Sequence, residues 1–351
     1  MNLNFSGPIN HTGYGVSSFG ILKELSKKHD IAYFPKGNPS VDSQEEYDLV
    51  STLMSKQNSF DINAPFLKIW HQFDLADRIG RGRYYAYPFF ELDTFNEREK
   101  KHLSVPDEIF VSSEWAKNVV INNGINNPVS VVPLGVNREV FHENIPNLRN
   151  DGKYVFLAIG KWEVRKSHDI LPELFKKAFG DSKDVELWIL AAEHTNSYSS
   201  SEEIMRWKAL YNGPNIRVIP GVESQRDVAN VIAHSDCGLY ISRAEGWNLE
   251  LLETMSMNKP AIATNYSAHT EFCNKENCYL VDIDETEKAF DGKAFNGQGN
   301  WAKIGKRQKD QTVEYMRYVY KNDIRVNPEG IKMAKKLSWD NSANIISRCI
   351  F

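Results

Sequence analysis

Four charged residues in two short segments carry the chemistry open to this chain: Lys161 and Lys166 in one, Glu245 and Glu253 in the other. The first segment reads Gly160-Lys161-Trp162-Glu163-Val164-Arg165-Lys166-Ser167-His168 and follows an apolar run. Three cations within six residues at a strand end suit a phosphate or diphosphate, although a solvated basic loop looks the same. The second segment runs from Ala244 to Met255. Its apolar positions Leu249, Leu252 and Met255 follow helical spacing, so a helix starts near Asn248. The backbone N–H groups of Gly246, Trp247, Asn248 and Leu249 are then left without intrahelical partners, and the positive helix end favours negative oxygens. Glu245 sits in the loop and Glu253 two turns along the helix, far enough apart to grip different hydroxyls of one extended ligand. Glu245 is equally read as a capping carboxylate and Glu253 as a surface charge, though Glu253 follows Leu251-Leu252 on a mostly apolar helix.

A third candidate, Asn10-His11-Thr12-Gly13-Tyr14-Gly15, follows the first strand and opens the first helix. Two glycines permit close backbone approach to a ligand. Ser18 stands where a full Gly-x-Gly-x-x-Gly motif needs its last glycine, so a plain strand-to-helix turn reads equally well.

These segments are positioned by alternating strands and helices. Strands are expected at 31–34, 66–70, 84–87, 108–111 and 129–133, then at 154–160, 185–190, 216–219, 237–241 and 260–264. Val16–Leu25 patterns as a helix, and Ser113 reads as an N-cap. Between residues 141 and 152 the apolar periodicity lapses into Asn, Pro and Gly, which marks a linker. The expectation is an α/β chain of two doubly wound, Rossmann-like domains, 1–145 and 152–325, facing a cleft, with ligands beyond the C-terminal ends of the strands.

At 351 residues the chain is long enough for two such domains. A formal net charge of −4 gives no overall basic excess of the kind that points to nucleic acid. No apolar run approaches the ~18 residues of a membrane span, and the polar, Gly-containing N-terminus is not a signal peptide. A cytoplasmic protein without a transmembrane segment is expected. Cys237, Cys273, Cys278 and Cys349 match no zinc spacing and read as reduced thiols.

Residues 245–264, Glu-Gly-Trp-Asn-Leu-Glu-Leu-Leu-Glu-Thr-Met-Ser-Met-Asn-Lys-Pro-Ala-Ile-Ala-Thr, resemble the Glu-x7-Glu block of the family 4 retaining glycosyltransferases (glycosyltransferase group 1). Residues 110–115, 131–137, 158–169 and 337–343 resemble further blocks of that family in order, over nearly the whole chain. The resemblance implies the GT-B fold, an N-terminal acceptor-binding domain, a C-terminal donor-binding domain, and a final segment 326–351 whose helix crosses back to the first domain. It implies transfer of a sugar from a nucleotide-diphosphate sugar to an acceptor hydroxyl, with retention, no metal and no cofactor beyond the donor substrate. Glu253 would hold the donor ribose and Glu245 would face the donor sugar. The amides of Gly246, Trp247, Asn248 and Leu249 would meet the sugar or diphosphate. Lys161 and Lys166 would neutralise the leaving group. Gly13, Tyr14 and Gly15 would lie near the diphosphate and acceptor. His71 would face the donor sugar, or else pack beside Trp70, and Glu91 would contact the acceptor. Lys161 stands where the family usually has Arg, and Asn248 where many members have Gly; the latter bears on the choice of donor sugar. The acceptor is left open among a glycan, a lipid-linked sugar, a small molecule, a protein and a hydroxylated DNA base. Other readings are a GT-B epimerase or hydrolase, and a non-catalytic nucleotide-sugar- or glycan-binding module.

Overall fold

The structure is a computed structural model that describes residues 1–191, 200–222 and 224–351. The chain divides into two compact units, residues 1–137 with 336–351, and residues 138–335.

The first unit holds β1 (Asn2–Gly7), α1 (Gly13–Ser26), β2 (Asp30–Pro35), α2 (Gln44–Ser55), β3 (Phe66–Lys68), β4 (Tyr84–Ala86), α3 (Glu97–Leu103), β5 (Glu108–Val111), α4 (Glu114–Asn122) and β6 (Val129–Val131). The second runs through β7 (Tyr154–Ile159), α5 (Leu171–Phe179), β8 (Val185–Leu190), α6 (Ser201–Leu210), β9 (Ile216–Ile219), α7 (Gln225–Ala233), β10 (Cys237–Tyr240), α8 (Leu249–Ser256), β11 (Ala261–Asn265), α9 (His269–Phe272) and β12 (Tyr279–Asp282). An antiparallel hairpin, β13 (Thr286–Phe290) with β14 (Asn296–Ala302), and then α10 (Lys306–Lys321) and α11 (Pro328–Lys336) follow. The last helix, α12 (Trp339–Ile350), belongs to the first unit.

Both sheets are parallel. Their orders are β2-β1-β3-β4-β5-β6 and β12-β11-β10-β7-β8-β9. In the first, the order reverses between β1 and β3; in the second, between β7 and β10. Ligands of open parallel sheets sit at such reversals, beyond the strand C-termini. The central strands explain themselves chemically. Every residue of β7 is buried, as its uninterrupted Tyr-Val-Phe-Leu-Ala-Ile composition requires under helices on both faces. Helix starts are fixed by side-chain caps: Ser113 accepts from Ala116 N–H, Ser338 from Asn341 N–H, and Asn96 and Ser200 complete capping boxes with Glu99 and Glu203.

Five expected strands, at 66–70, 84–87, 129–133, 154–160 and 237–241, end one or two residues early, and the one at 260–264 is shifted by a residue. Ile69 and Trp70 leave the ladder after β3, although Ile69 N–H still reaches Ser6 O at 2.8 Å. Pro260 lacks a donor, so β11 begins at Ala261 while the Pro260 carbonyl accepts from Gly238. Strand β12, Tyr-Leu-Val-Asp, escaped the sequence reading as a run of only four residues, and the hairpin escaped it because its mixed polar composition breaks the apolar pattern. The four cysteines are unpaired, three of them buried.

Within the first unit, α12 packs on α1 through Trp339. A Cβ built on Gly20 would stand 2.5 Å from the Trp339 ring, whereas one on Gly13 would meet no atom within 4 Å. Gly20→Ala should therefore destabilise the protein by about 1–3 kcal/mol through overpacking, while Gly13→Ala should stay within about 1 kcal/mol of the parent or stabilise it. Urea titration of both variants checks the contrast.

Candidate functional site

In the second unit the loops after β7 and β10 flank the strand-order reversal, and arginines exchanged between them bind the two together. Arg165 reaches the second loop, giving Nη1 to Ala244 O at 2.8 Å and to Glu245 Oε2 at 2.7 Å. Arg243 reaches back and grips Asp169 with both Nη atoms at 2.9 Å, and its Nη1 also donates to Val164 O. The Arg243 N–H bonds Arg165 O at 2.7 Å, and Ser167 Oγ donates to Ile241 O at 2.6 Å. Ser167 adopts a left-handed φ of 61° to make this turn.

That stitching brings Lys166 and Glu245 together. Lys166 Nζ lies 2.8 Å from Glu245 Oε1 in an ion pair. Glu250 is 3.8 Å from the same ammonium. Both partners are buried, Lys166 being 9% and Glu245 4% exposed. Gly160 makes room for the lysine: it has φ +149°, and a Cβ there would come within 3.0 Å of Lys166 Cε. Burial alone would raise the pKa of Glu245, but Arg165 and Lys166 outweigh it and hold the carboxyl far below its ordinary range. Burial alone would lower Lys166, but Glu245 and Glu250 keep its pKa raised.

Lys161 is exposed at the end of β7, and its charge acts on Glu163, which is also paired with Arg165 at 2.8 Å. Glu253 lies on the buried face of α8, 8% exposed, its side chain without a hydrogen bond or ion pair among the described residues. Burial, with repulsion from Glu250, raises its pKa well above the ordinary carboxylate value. Asn248 is the N-cap of α8, at φ 82°, accepting from Leu251 N–H at 3.3 Å; many relatives of the resembled family have Gly here, and the left-handed backbone explains why. Its side chain is spent on this cap and on His269, 2.9 Å away. The Trp247 side chain turns inward onto Phe272, with ring centroids 4.8 Å apart.

In the first unit Gly13, Tyr14 and Gly15 open α1, and His71 and Glu91 follow β3 and β4. Gly15 is required by internal packing, since a Cβ would strike Asn10 at 2.3 Å. Tyr14 is anchored by Phe89, whose carbonyl accepts from the phenol and whose N–H donates to it, both at 2.8 Å. His71 is half-buried beside Tyr14, Trp70 and Phe73, at centroid distances of 4.4, 4.9 and 5.0 Å. It is thus neither a core residue nor fully open. Glu91 is half-buried, and its charge acts on Tyr14.

Sequence reasoning missed Arg165, Arg243, Asp169, Ser267 and His269 as parts of the site. Arg165 was visible within its cation run. The others carry no local pattern, because their role is contact across the sheet end. Among the described residues no cluster of three or more His, Cys, Asp or Glu side chains could hold a metal, and no helix is long and apolar enough to cross a membrane.

Comparisons with known proteins agree with this geometry. Residues 153–293 match the family described as Glycosyl transferases group 1. An uncharacterised glycosyltransferase of Methanocaldococcus jannaschii is 25% identical, over 64% of this chain and 60% of its own length, so the chain spans about three-fifths of that relative. Sucrose-phosphate synthase of Thermosynechococcus elongatus superposes with a TM-score of 0.71 at 11% identity, covering 99% of this chain and 98% of that one. Anabaena HepE, solved with UDP and glucose, gives a TM-score of 0.71 at 12% identity, covering 100% and 99%. Trehalose-6-phosphate synthase of E. coli, solved with UDP-2-fluoro glucose, gives 0.69 at 10%, covering 100% and 99%. At these identities the solved structures establish the fold.

Two measurements follow from the buried charges. Glu245→Gln leaves Arg165 and Lys166 short of a counter-charge and should cost about 3–5 kcal/mol. Because its folded pKa is depressed, the Glu245 contribution is full above the unfolded pKa and is lost as pH falls below about 5. His168 and His269 titrate earlier. Burial pushes them down to about 3 and about 4, so the unfolded chain binds their protons first and stability declines from about pH 6.5 downward. Urea titrations at pH 7.5 and 5.5 should show this loss, and His168→Gln should reduce its slope. The comparisons support one statement: residues 153–293 match the glycosyl transferases group 1 family, and the fold of the chain is of the GT-B type.

Proposed function

We propose that this chain is a retaining, metal-independent glycosyltransferase that moves a sugar from a nucleoside-diphosphate sugar held by the second unit to an acceptor hydroxyl. The observation that carries the reading is the buried, charged Lys166 fixed by Glu245 beside the N-terminus of α8, with the unpartnered carboxyl of Glu253 further along the same helix. Cations and a helix N-terminus suit a diphosphate, and a carboxyl without an internal partner suits ribose hydroxyls.

The difficult step is departure of the nucleoside diphosphate from the anomeric carbon. Negative charge grows on the leaving phosphate while the sugar becomes oxocarbenium-like. Lys166, Lys161 and the amides of residues 246–249 meet that charge in fixed positions, the largest kind of catalytic contribution. Glu245 holds Lys166 in place and faces the sugar. The acceptor attacks from the face the diphosphate leaves, which preserves the anomeric configuration. In the first unit Gly13 leaves open space for a ligand, and His71 and Glu91 supply polar groups at the strand ends for the sugar and the acceptor. The relatives solved with UDP or UDP sugars make UDP-glucose the first donor to test. Four unpaired thiols suit a cytoplasmic setting.

With UDP-glucose or another donor from a nucleotide-sugar panel, Lys166→Ala should lower kcat by about 10²–10³-fold. Glu253→Ala should raise donor KM by about 10- to 100-fold with a smaller change in kcat. EDTA should leave transfer unchanged. Wild-type rates in both variants would refute the site. Donor breakdown that never requires an acceptor would refute transfer.

A further inference from the structure

We infer that His269 is a positioning residue for donor binding, acting through Asn248 to fix the loop that presents the amides of residues 246–249; the inference rests on the donor site proposed above. His269 is fully buried, at 0% exposure, one helical turn beyond the end of β11. Its Nδ1 lies 2.9 Å from Thr264 O, and its Nε2 lies 2.9 Å from Asn248 Nδ2. A carbonyl only accepts and an amide nitrogen only donates, so both contacts can hold only in the neutral tautomer with the proton on Nδ1. That tautomer dictates which way the Asn248 amide faces. With Nδ2 turned to His269, Oδ1 is left to cap Leu251 N–H at 3.3 Å.

The same turn holds the loop at two further points. Ser267 Oγ accepts from Glu245 N–H at 2.8 Å, and Ala268 N–H donates to Glu245 O at 3.3 Å. Ser267 takes a left-handed φ of 52° to do so. Asn248 carries the loop's own left-handed residue, at φ 82°. A non-glycine residue in that conformation persists where its surroundings over-determine it. Here the cap on one side and the imidazole on the other supply that constraint. A glycine at 248 would adopt the turn without help, and His269 would then have nothing to orient. The Asn248 side chain accordingly serves as a structural device that holds the turn.

Two experiments test this. In ¹⁵N-histidine-labelled protein at neutral pH without ligand, the His269 ring should give a protonated Nδ1 and an unprotonated Nε2; the opposite tautomer, or a protonated ring, would overturn the inference. The second is a double-mutant cycle read by donor KM and by binding of UDP and the other nucleoside diphosphates. His269→Phe should weaken donor binding about tenfold with kcat changed less than about threefold, and His269→Gln, which can both accept and donate, should recover most of the loss. In an Asn248→Gly background, His269→Phe should have little further effect on donor binding. An equal loss in both backgrounds would show that His269 acts by packing alone. Failure of every nucleotide to bind wild-type protein would instead indict the donor site, while the tautomer result would stand.

Discussion

A single buried carboxylate, Glu245, organises the strand ends of the second unit. It is shared between Arg165 at 2.7 Å and Lys166 at 2.8 Å, one cation on each oxygen. Removing these three charges from water is expensive, and the expense is offset only while all of them stay paired. The loops after β7 and β10 therefore cannot move independently. Arg243 with Asp169 repeats the device in the opposite direction, so that each loop supplies an arginine to the other. A site built this way is rigid before any ligand arrives, which is what electrostatic preorganisation demands.

The charges are also unevenly committed. Arg165 is consumed by Glu163, Glu245 and a carbonyl. Lys161 is exposed at the strand end, and Lys166 faces two carboxylates, one of them distant at 3.8 Å. On the function proposed above, an arriving diphosphate would meet Lys161, Lys166 and the α8 N-terminus, while Arg165 keeps Glu245 anchored. Glu253 completes the division of labour. Its side chain is largely buried and has no hydrogen-bond or ion-pair partner among the described residues, so hydroxyl donors from a ligand are what would favour its ionised form. The first unit, taken by itself, holds a half-exposed aromatic corner around His71 and the open turn at Gly13.

Much of the fold was legible in the chain because buried parallel strands announce themselves as apolar runs, as β7 and β8 do. Strand β12, only four residues long, and the β13–β14 hairpin were not; in the hairpin Asn, Gln, Lys and Gly carry no period. The pairing of Lys166 with Glu245 was foreseen as proximity at one strand end, but not as an ion pair, because sequence spacing says nothing about contacts across a sheet. Arg243, Asp169 and His269 were invisible for the same reason. Asn248 was read as a departure bearing on donor choice; its left-handed backbone and its cap on Leu251 N–H add a structural role that the sequence did not disclose.

The most direct test of the account is a crystal structure of the protein with UDP or whichever nucleoside diphosphate binds best. The account predicts a phosphate oxygen within about 3 Å of Lys166 Nζ and of an amide at the start of α8, with the ribose hydroxyls on the Glu253 carboxyl. A nucleotide bound elsewhere, with Lys166, Glu245 and Glu253 all untouched, would contradict it.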